Sequence, residues 1–267
     1  MIPEAQVLPE DPDVVFAFSG RDRNLSLRVG DGDPLADRSA VLATVGVGLD
    51  DAVFAEQVHG GAVARVGVAE RGRGARRAED AIAGVDALVT TDPDVALAVL
   101  VADCVPVLLA APGVGVGVAH AGRRGVAAGV VPAAVRALAG DDASDVVAVV
   151  GPAIGACCYE VDPDLAADFT AALPAAAATT AWGTPSLDLR AAVSAQLEAA
   201  GVTRISHVGG CTRCNPQRWH SHRADPTSGR QAGVIVRRSR RLDARPQPSP
   251  GVSRSTTPVP GSPPRRP

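Results

Sequence analysis

Two histidines and a cysteine stand in three short, separate motifs: Gln57-Val58-His59-Gly60, Ala102-Asp103-Cys104-Val105-Pro106 and Ala119-His120-Ala121-Gly122. Two imidazoles and a thiolate suit zinc and leave its fourth coordination position open, as in catalytic rather than structural zinc sites. Zinc held this way lowers the pKa of a bound water toward neutrality, and ligation would keep Cys104 as the thiolate at neutral pH. Gly60 and Gly122 lie within two residues of the histidines, so the backbone can approach a ligand closely there.

The same atoms support a metal-free reading. Cys104 would be the nucleophile and His120 its base, with Asp103 or a backbone carbonyl orienting the ring; His59 then has no task. A third arrangement is the C-x-x-C pair Cys211 and Cys214 with His220 or His222. Its spacing gives two ligands for a structural zinc, but no second C-x-x-C exists. Cys157 and Cys158 are adjacent, which makes it hard for both to serve one tetrahedral ion. A non-metal role for Cys211 and Cys214 is therefore expected.

Each motif of the His/Cys/His set follows an apolar run, which places each ligand where a strand ends. Val14–Phe18 reads as a first strand and Leu35–Val45 as a helix. Val53–Val58 and Ala62–Val66 flank His59-Gly60-Gly61, which predicts a hairpin with the histidine at its mouth. The segment Gly67–Gly84 is a polar, solvated loop carrying Arg71, Arg73, Arg76 and Arg77. Closely spaced strands follow at Ala87–Thr90, Val95–Val101, Val105–Ala110 and Val114–Ala119, then a helix at Gly129–Leu138 with Pro132 in its first turn. Val146–Val150 is a buried strand leading into Gly151-Pro152. Helices are expected at Leu165–Ala172 and at Leu189–Ala200, the latter stopped by Gly201, with late strands at Ile205–Val208 and Gly233–Val236. Strands and helices mix without a strict βαβ repeat. This points to α/β or α+β architecture, a single-domain mixed-sheet sandwich flanked by helices, over residues 1–236.

Composition narrows the function classes. All the basic residues are arginine, and aromatic residues make up only 3% of the chain, so the core must be built from Val, Leu and Ala. From Arg237 onward there are eight arginines and one acid, Asp243, out of 26 and 29 in the whole chain. The body before it keeps 18 basic and 28 acidic residues, an acidic balance that argues against a nucleic-acid-binding surface. The segment 237–267, rich in Pro, Ser and Arg, reads as a disordered tail. Met1–Asp13 is acidic with three prolines, unlike a secretory signal. The longest apolar stretch, Val95–Ala119, is broken by Asp103, Pro106 and Pro112, which a membrane span tolerates poorly. Five cysteines without a signal sequence fit free thiols in a reducing cytoplasm. The sequence leaves oligomeric state open.

Further motifs fall in order along the chain: Asp86-Ala87-Leu88-Val89-Thr90, Gly151-Pro152-Ala153-Ile154-Gly155, Tyr159-Glu160-Val161, Cys211-Thr212, Ser221-His222-Arg223 and Gly229-Arg230-Gln231. Together with the three ligand motifs they resemble the YfiH-like family, also called the laccase-domain or multicopper polyphenol oxidase family, over most of residues 14–236. The resemblance implies an α/β sandwich related to cysteine-hydrolase toxins and a zinc site made by His59, Cys104 and His120. It also implies purine nucleoside phosphorylase activity on adenosine, inosine, guanosine and methylthioadenosine, with adenosine deaminase activity besides. Bacterial relatives also carry the label peptidoglycan editing factor. This chain departs from the pattern in three places. Arg123 replaces the family's tryptophan after His120-Ala121-Gly122, Leu25-Ser26-Leu27 replaces Leu-Asn-Leu, and His222-Arg223-Ala224-Asp225 softens a more basic motif.

Residue supply tests these activities. A multicopper oxidase needs a blue-copper site and a three-copper cluster, hence many imidazoles. Five histidines and one methionine cannot build that set, although copper-dependent oxidation at the single His/Cys/His site remains open. Phosphorolysis needs a phosphate site, and the guanidinium fork suits phosphate. Arg124, Arg223 and Arg230, in or beside the motifs, are the candidates for phosphate and substrate. Deamination needs water activated at a metal. Asp103 and Glu160 are candidate proton-transfer groups, and Asp103 is equally suited to orienting a ligand. The expectation is a cytoplasmic zinc enzyme acting on purine nucleosides and phosphate. The alternatives are a metal-free Cys104–His120 amide hydrolase, acting for instance on a peptidoglycan precursor, and a non-enzymatic metal-binding module.

Overall fold

The computed structural model describes residues 4–239. Two β-sheets form its centre. The first has the strand order Gln6–Leu8, Asp11–Phe18, Gln231–Arg237, Ala96–Val101 and Ala52–Phe54. The second has the order Arg204–His207, Val147–Val150, Val105–Ala111, Gly115–Ala121, Ala87–Thr90 and Val63–Arg65. Both sheets are mixed: Ala52–Phe54 runs parallel to Ala96–Val101, whereas Val105–Ala111 and Gly115–Ala121 are antiparallel.

Alternation along the strands explains the layering, because successive side chains point to opposite faces. Leu108 and Ala110 join Val118, Val149, Phe16, Leu97, Val99 and Ile235 in one apolar layer between the sheets. Their neighbours Val107 and Leu109 face the other way, onto Val131, Val135 and Leu138 of the Val130–Ala139 helix and Val193 and Leu197 of Leu189–Ala199. The outer face of the first sheet, with Ala98, Ala232 and Val234, packs on Val41 and Leu42 of the Pro34–Thr44 helix. The result is four layers, helix–sheet–sheet–helix, as the mixed-sheet sandwich expectation requires.

Local signals account for most of the helix ends. Asp33, Asp162 and Asp188 cap the three helices that follow them by accepting backbone N–H groups. Gly201, at φ 90°, follows the Leu189–Ala199 helix, which ends where the sequence predicted. The arginine-rich loop is held by acids, with Arg71 on Asp51, Arg76 on Asp50 and Arg77 on Asp80. No described helix is long and apolar enough to cross a membrane.

One expectation fails. Val53–Val58 and Ala62–Val66 do not form a hairpin, because Ala52–Phe54 belongs to the first sheet and Val63–Arg65 to the second. Each pairs in parallel with another strand, and the backbone bonds that a hairpin would use go to Ala96–Val101 and Ala87–Thr90 instead. His59 therefore lies on a crossover between sheets. Of the segment assigned to a tail, Arg237 closes the last strand, Arg238 donates its backbone N–H to Asp13, and Ser239 donates to Asp94; the rest of that segment lies outside the described residues.

Candidate metal centre and its cavity

The chain crosses from the first sheet to the second twice near the same point. Residues 55–62 link Ala52–Phe54 to Val63–Arg65, and residues 102–104 link Ala96–Val101 to Val105–Ala111. His59 sits on the first crossover and Cys104 on the second. His120 comes up beside them near the end of Gly115–Ala121, its Cα registered against Pro106. Their ligand atoms all lie within 4.8 Å of one another. Cys104 Sγ is 3.8 Å from His59 Nε2, and the two imidazole rings meet edge to face at 4.6 Å. The predicted convergence of the three side chains is what the structure shows, and the donor set can hold one metal ion.

Asp86 organises this set. It stands just before the Ala87–Thr90 strand, fully buried, and accepts backbone N–H bonds from Val58, His59 and Gly60 at 3.2, 2.9 and 2.7 Å. Its Oδ1 also lies 2.7 Å from His120 Nδ1. One carboxylate thus fixes the His59 loop and the orientation of the His120 ring, leaving Nε2 of His120 toward the site. The sequence reading gave the ring-orienting task to Asp103 or a carbonyl; the structure gives it to Asp86. Gln57 anchors the same loop by a two-way bond to the backbone of Leu100, at 2.7 and 2.9 Å.

Asp103 has other partners. Its Oδ1 accepts the Thr212 hydroxyl at 2.5 Å, its Oδ2 accepts the Arg223 backbone N–H at 2.6 Å, and its own carbonyl accepts from Ile154. With these bonds it ties the Cys104 crossover to two later loops. Asp103 and His59 both have positive φ, 85° and 63°. That is uncommon for residues with a Cβ and recurs at functional sites. Gly122 is required by close approach: a Cβ there would stand 2.9 Å from both Cys104 Sγ and His59 Cδ2.

The electrostatics favour an ion pair when no metal is bound. Burial pushes the Cys104 thiol up, but the imidazoles of His120 and His59 outweigh it and bring the thiol down to about 6. Burial likewise disfavours the charged form of His120, and the Cys104 thiolate and Asp86 overcome it, raising His120 to about 9. Burial also opposes the charge on Asp86; its bonds to His120 and to the Gly60 and His59 N–H groups prevail and hold it below the usual carboxylate range.

The triad opens into a cavity of about 550 Å³ that Asp103, Tyr159, His222, Arg223 and Arg230 also line. Arg223 stacks over the Tyr159 ring at 5.0 Å and donates to the Glu160 carbonyl. Arg230 is half-buried and bonded to the Ser228 and Gly229 carbonyls. Arg124 is exposed and does not line the cavity. Arg123, where the resemblance expects tryptophan, lines a separate cleft beside Leu165 and Phe169. Asp86 had no role assigned from sequence, and its signal was its place inside an ordered motif. His222, weighed from sequence as a partner of Cys211 and Cys214, lines this cavity.

Of the other histidines, His220 is a structural residue, with Nδ1 against the Ser228 hydroxyl and Nε2 donating to the Arg23 carbonyl. It is thereby withdrawn from Cys211 and Cys214. Those cysteines are joined instead by Cys157 and Cys158, the adjacent pair that sequence reasoning set aside, with all four sulfurs within 4.8 Å.

Comparison with known proteins agrees with the motif order. The family described as "Multi-copper polyphenol oxidoreductase laccase" matches residues 18–238. The chain is 46% identical over 226 residues to "Purine nucleoside phosphorylase SCO2081" of Streptomyces coelicolor, covering 83% of this chain and 90% of that one. It is 38% identical over 229 residues to "Purine nucleoside phosphorylase YlmD" of Geobacillus stearothermophilus, covering 80% and 83%. The crystal structure of that organism's YlmD superposes with a TM-score of 0.79 at 34% identity, covering 87% of this chain and 94% of that one. The Bacillus licheniformis protein YfiH gives 0.79 at 32%, covering 88% and 96%.

Proposed function

The chain belongs to the multi-copper polyphenol oxidoreductase laccase family, and on that premise we propose that it is a zinc-dependent purine nucleoside phosphorylase. The observation that carries the reading is one cavity lined both by the His59, Cys104 and His120 donor set and by Arg223 and Arg230. The names of its relatives supply the reaction. The oxidase wording of the family describes a multi-metal site for which five histidines are too few.

The donor set fits zinc: two imidazoles and one thiolate leave an open position on a tetrahedral ion. Zinc bound there would supply Lewis-acid chemistry toward an oxygen or water, for phosphorolysis and, as a side activity, for adenosine deamination. The protein's own groups do the rest. Asp86 keeps the His120 ring in one tautomer and the His59 loop in one conformation. Arg223 and Arg230 offer guanidinium donors to phosphate. Asp103 lines the cavity and positions Thr212 and Arg223, whose hydroxyl and backbone N–H its two oxygens accept. In the overall reaction the C1′–N9 bond of the nucleoside breaks, a phosphate oxygen bonds to C1′, and the purine leaves with a proton.

The test is incubation of the pure chain with inosine, with and without phosphate. Hypoxanthine and ribose 1-phosphate should form only with phosphate present, and His59→Ala should abolish turnover together with the zinc held by the His59, Cys104 and His120 donor set. Absence of both products at every zinc loading would overturn the proposal.

A second reading rests on the Asp86–His120–Cys104 alignment, which is also that of a cysteine hydrolase acting on amides, such as a peptidoglycan precursor. His59→Ala distinguishes the two: a hydrolase keeps its activity and a metal-dependent phosphorylase loses it.

A further inference from the structure

A second set of soft ligands lies outside the triad. Cys157 and Cys158 stand in the loop that follows Gly151-Pro152, and Cys211 and Cys214 in the loop after the Arg204–His207 strand. All four sulfurs lie within 4.8 Å of one another, with Cys214 Sγ 3.5 Å from Cys157 Sγ and 3.4 Å from Cys158 Sγ. None is in a disulfide. Four thiolates on one tetrahedral zinc, each with a Zn–S bond of roughly 2.3 Å, stand about 3.8 Å apart, within the spread found here. A disulfide would bond two of the sulfurs and leave the other two crowded against it. An iron–sulfur cluster spreads its four thiolates over two or four irons and so sets some of them farther apart.

The backbone is arranged around the cluster. Gly155 makes the close approach: a Cβ there would meet Cys211 Cβ at 3.1 Å and Cys157 Sγ at 3.2 Å. Ala153 and Cys211 form a parallel bridge, and Thr212 donates its N–H to Ala153 at 2.9 Å. Adjacency of Cys157 and Cys158 is no obstacle, because both sulfurs reach Cys214.

The geometry points to a second metal site, a closed zinc site made by Cys157, Cys158, Cys211 and Cys214. It has no open position and so performs no chemistry. It clamps the loop carrying Tyr159 to the loop carrying Thr212 and Arg223, the two loops that Asp103 and the Arg223–Tyr159 stack join on the cavity side. The site does not depend on the phosphorylase reading.

Metal analysis of the full chain tests it. The wild-type chain loaded with zinc and desalted should hold about two zinc ions, and His59→Ala with Cys104→Ser should retain about one. Adding Cys211→Ser and Cys214→Ser to that variant should remove the remainder. Should the last variant not fold, the His59→Ala, Cys104→Ser chain is loaded with cobalt instead. An intense thiolate-to-cobalt charge-transfer absorption supports the site, and its absence overturns it. Failure of the His59→Ala, Cys104→Ser chain to retain zinc would also overturn it, as would an intact mass showing a disulfide among these four cysteines in freshly purified protein. None of these readouts involves nucleoside turnover, so loss of the phosphorylase proposal would leave this one standing.

Discussion

Asp86 carries the largest structural burden of any single residue near the triad. It binds three successive N–H groups and an imidazole, and a ligand's outer partner of this kind commonly affects metal affinity by 10–100-fold. Asp86→Asn should therefore weaken zinc binding by about 10-fold or more, read by competition with a chromophoric chelator, and should also lower the melting temperature, because the amide NH2 would face buried N–H donors. The metal-free protein makes a separate statement about charge. Cys104 falls to about 6 and His120 rises to about 9, so thiolate and imidazolium coexist between those values. Iodoacetamide labelling of Cys104 in zinc-stripped protein, followed by peptide mass, should rise as pH increases through about 6 and then level off. A rise delayed to the ordinary thiol value of 9.0 would refute the pairing. His59, Cys104 and His120 were legible in the sequence because each residue type is scarce and each sits at an interruption of an apolar run. The work of Asp86 was not, since a carboxylate 34 residues from His120 shows its partner only after the strands pair.

At the scale of elements, the site is a property of crossovers. Two of its three ligands ride on links between the sheets, so the site exists only when both sheets are assembled and facing. The strands Ala87–Thr90, Ala96–Val101, Val105–Ala111 and Gly115–Ala121 could be read from apolar runs almost to the residue. The hairpin around His59 was misread because Gly60-Gly61 between two apolar runs looks like a local turn. Pairing of each run with a distant strand outcompeted it. Close approach on the third element gives a prediction. Gly122→Ala adds a methyl 2.9 Å from Cys104 Sγ, so the zinc held by the triad should be lost while the circular dichroism spectrum is kept. The arginines divide by the elements that carry them. Arg223→Ala should raise the phosphate KM about 10-fold or more, the loss of a charge-assisted bond of about 1.5–3 kcal/mol. Arg124→Ala, exposed on the short Arg123–Ala127 helix, should leave it unchanged. Equal effects of the two would remove Arg223 from the phosphate site.

For the whole molecule, the four layers separate stability from chemistry. The layer between the sheets contains few aromatic side chains, so its density rests on interdigitated Leu, Val and Ala. Leu108 is fully buried in that layer, on the strand that follows Cys104, and packs with side chains from both sheets. Deleting its isopropyl end leaves a hole that the pleated backbone on either side cannot close. Leu108→Ala should therefore cost about 2–5 kcal/mol, measured by urea unfolding. The triad is organised by Asp86 and the crossovers, not by this side chain. At a temperature where the variant remains folded, zinc stoichiometry and its competition constant should match the wild type. A variant that stays folded yet loses zinc would show that the apolar layer itself sets the geometry of His59, Cys104 and His120. A variant that loses neither would place the stability of the sandwich in its outer helical layers.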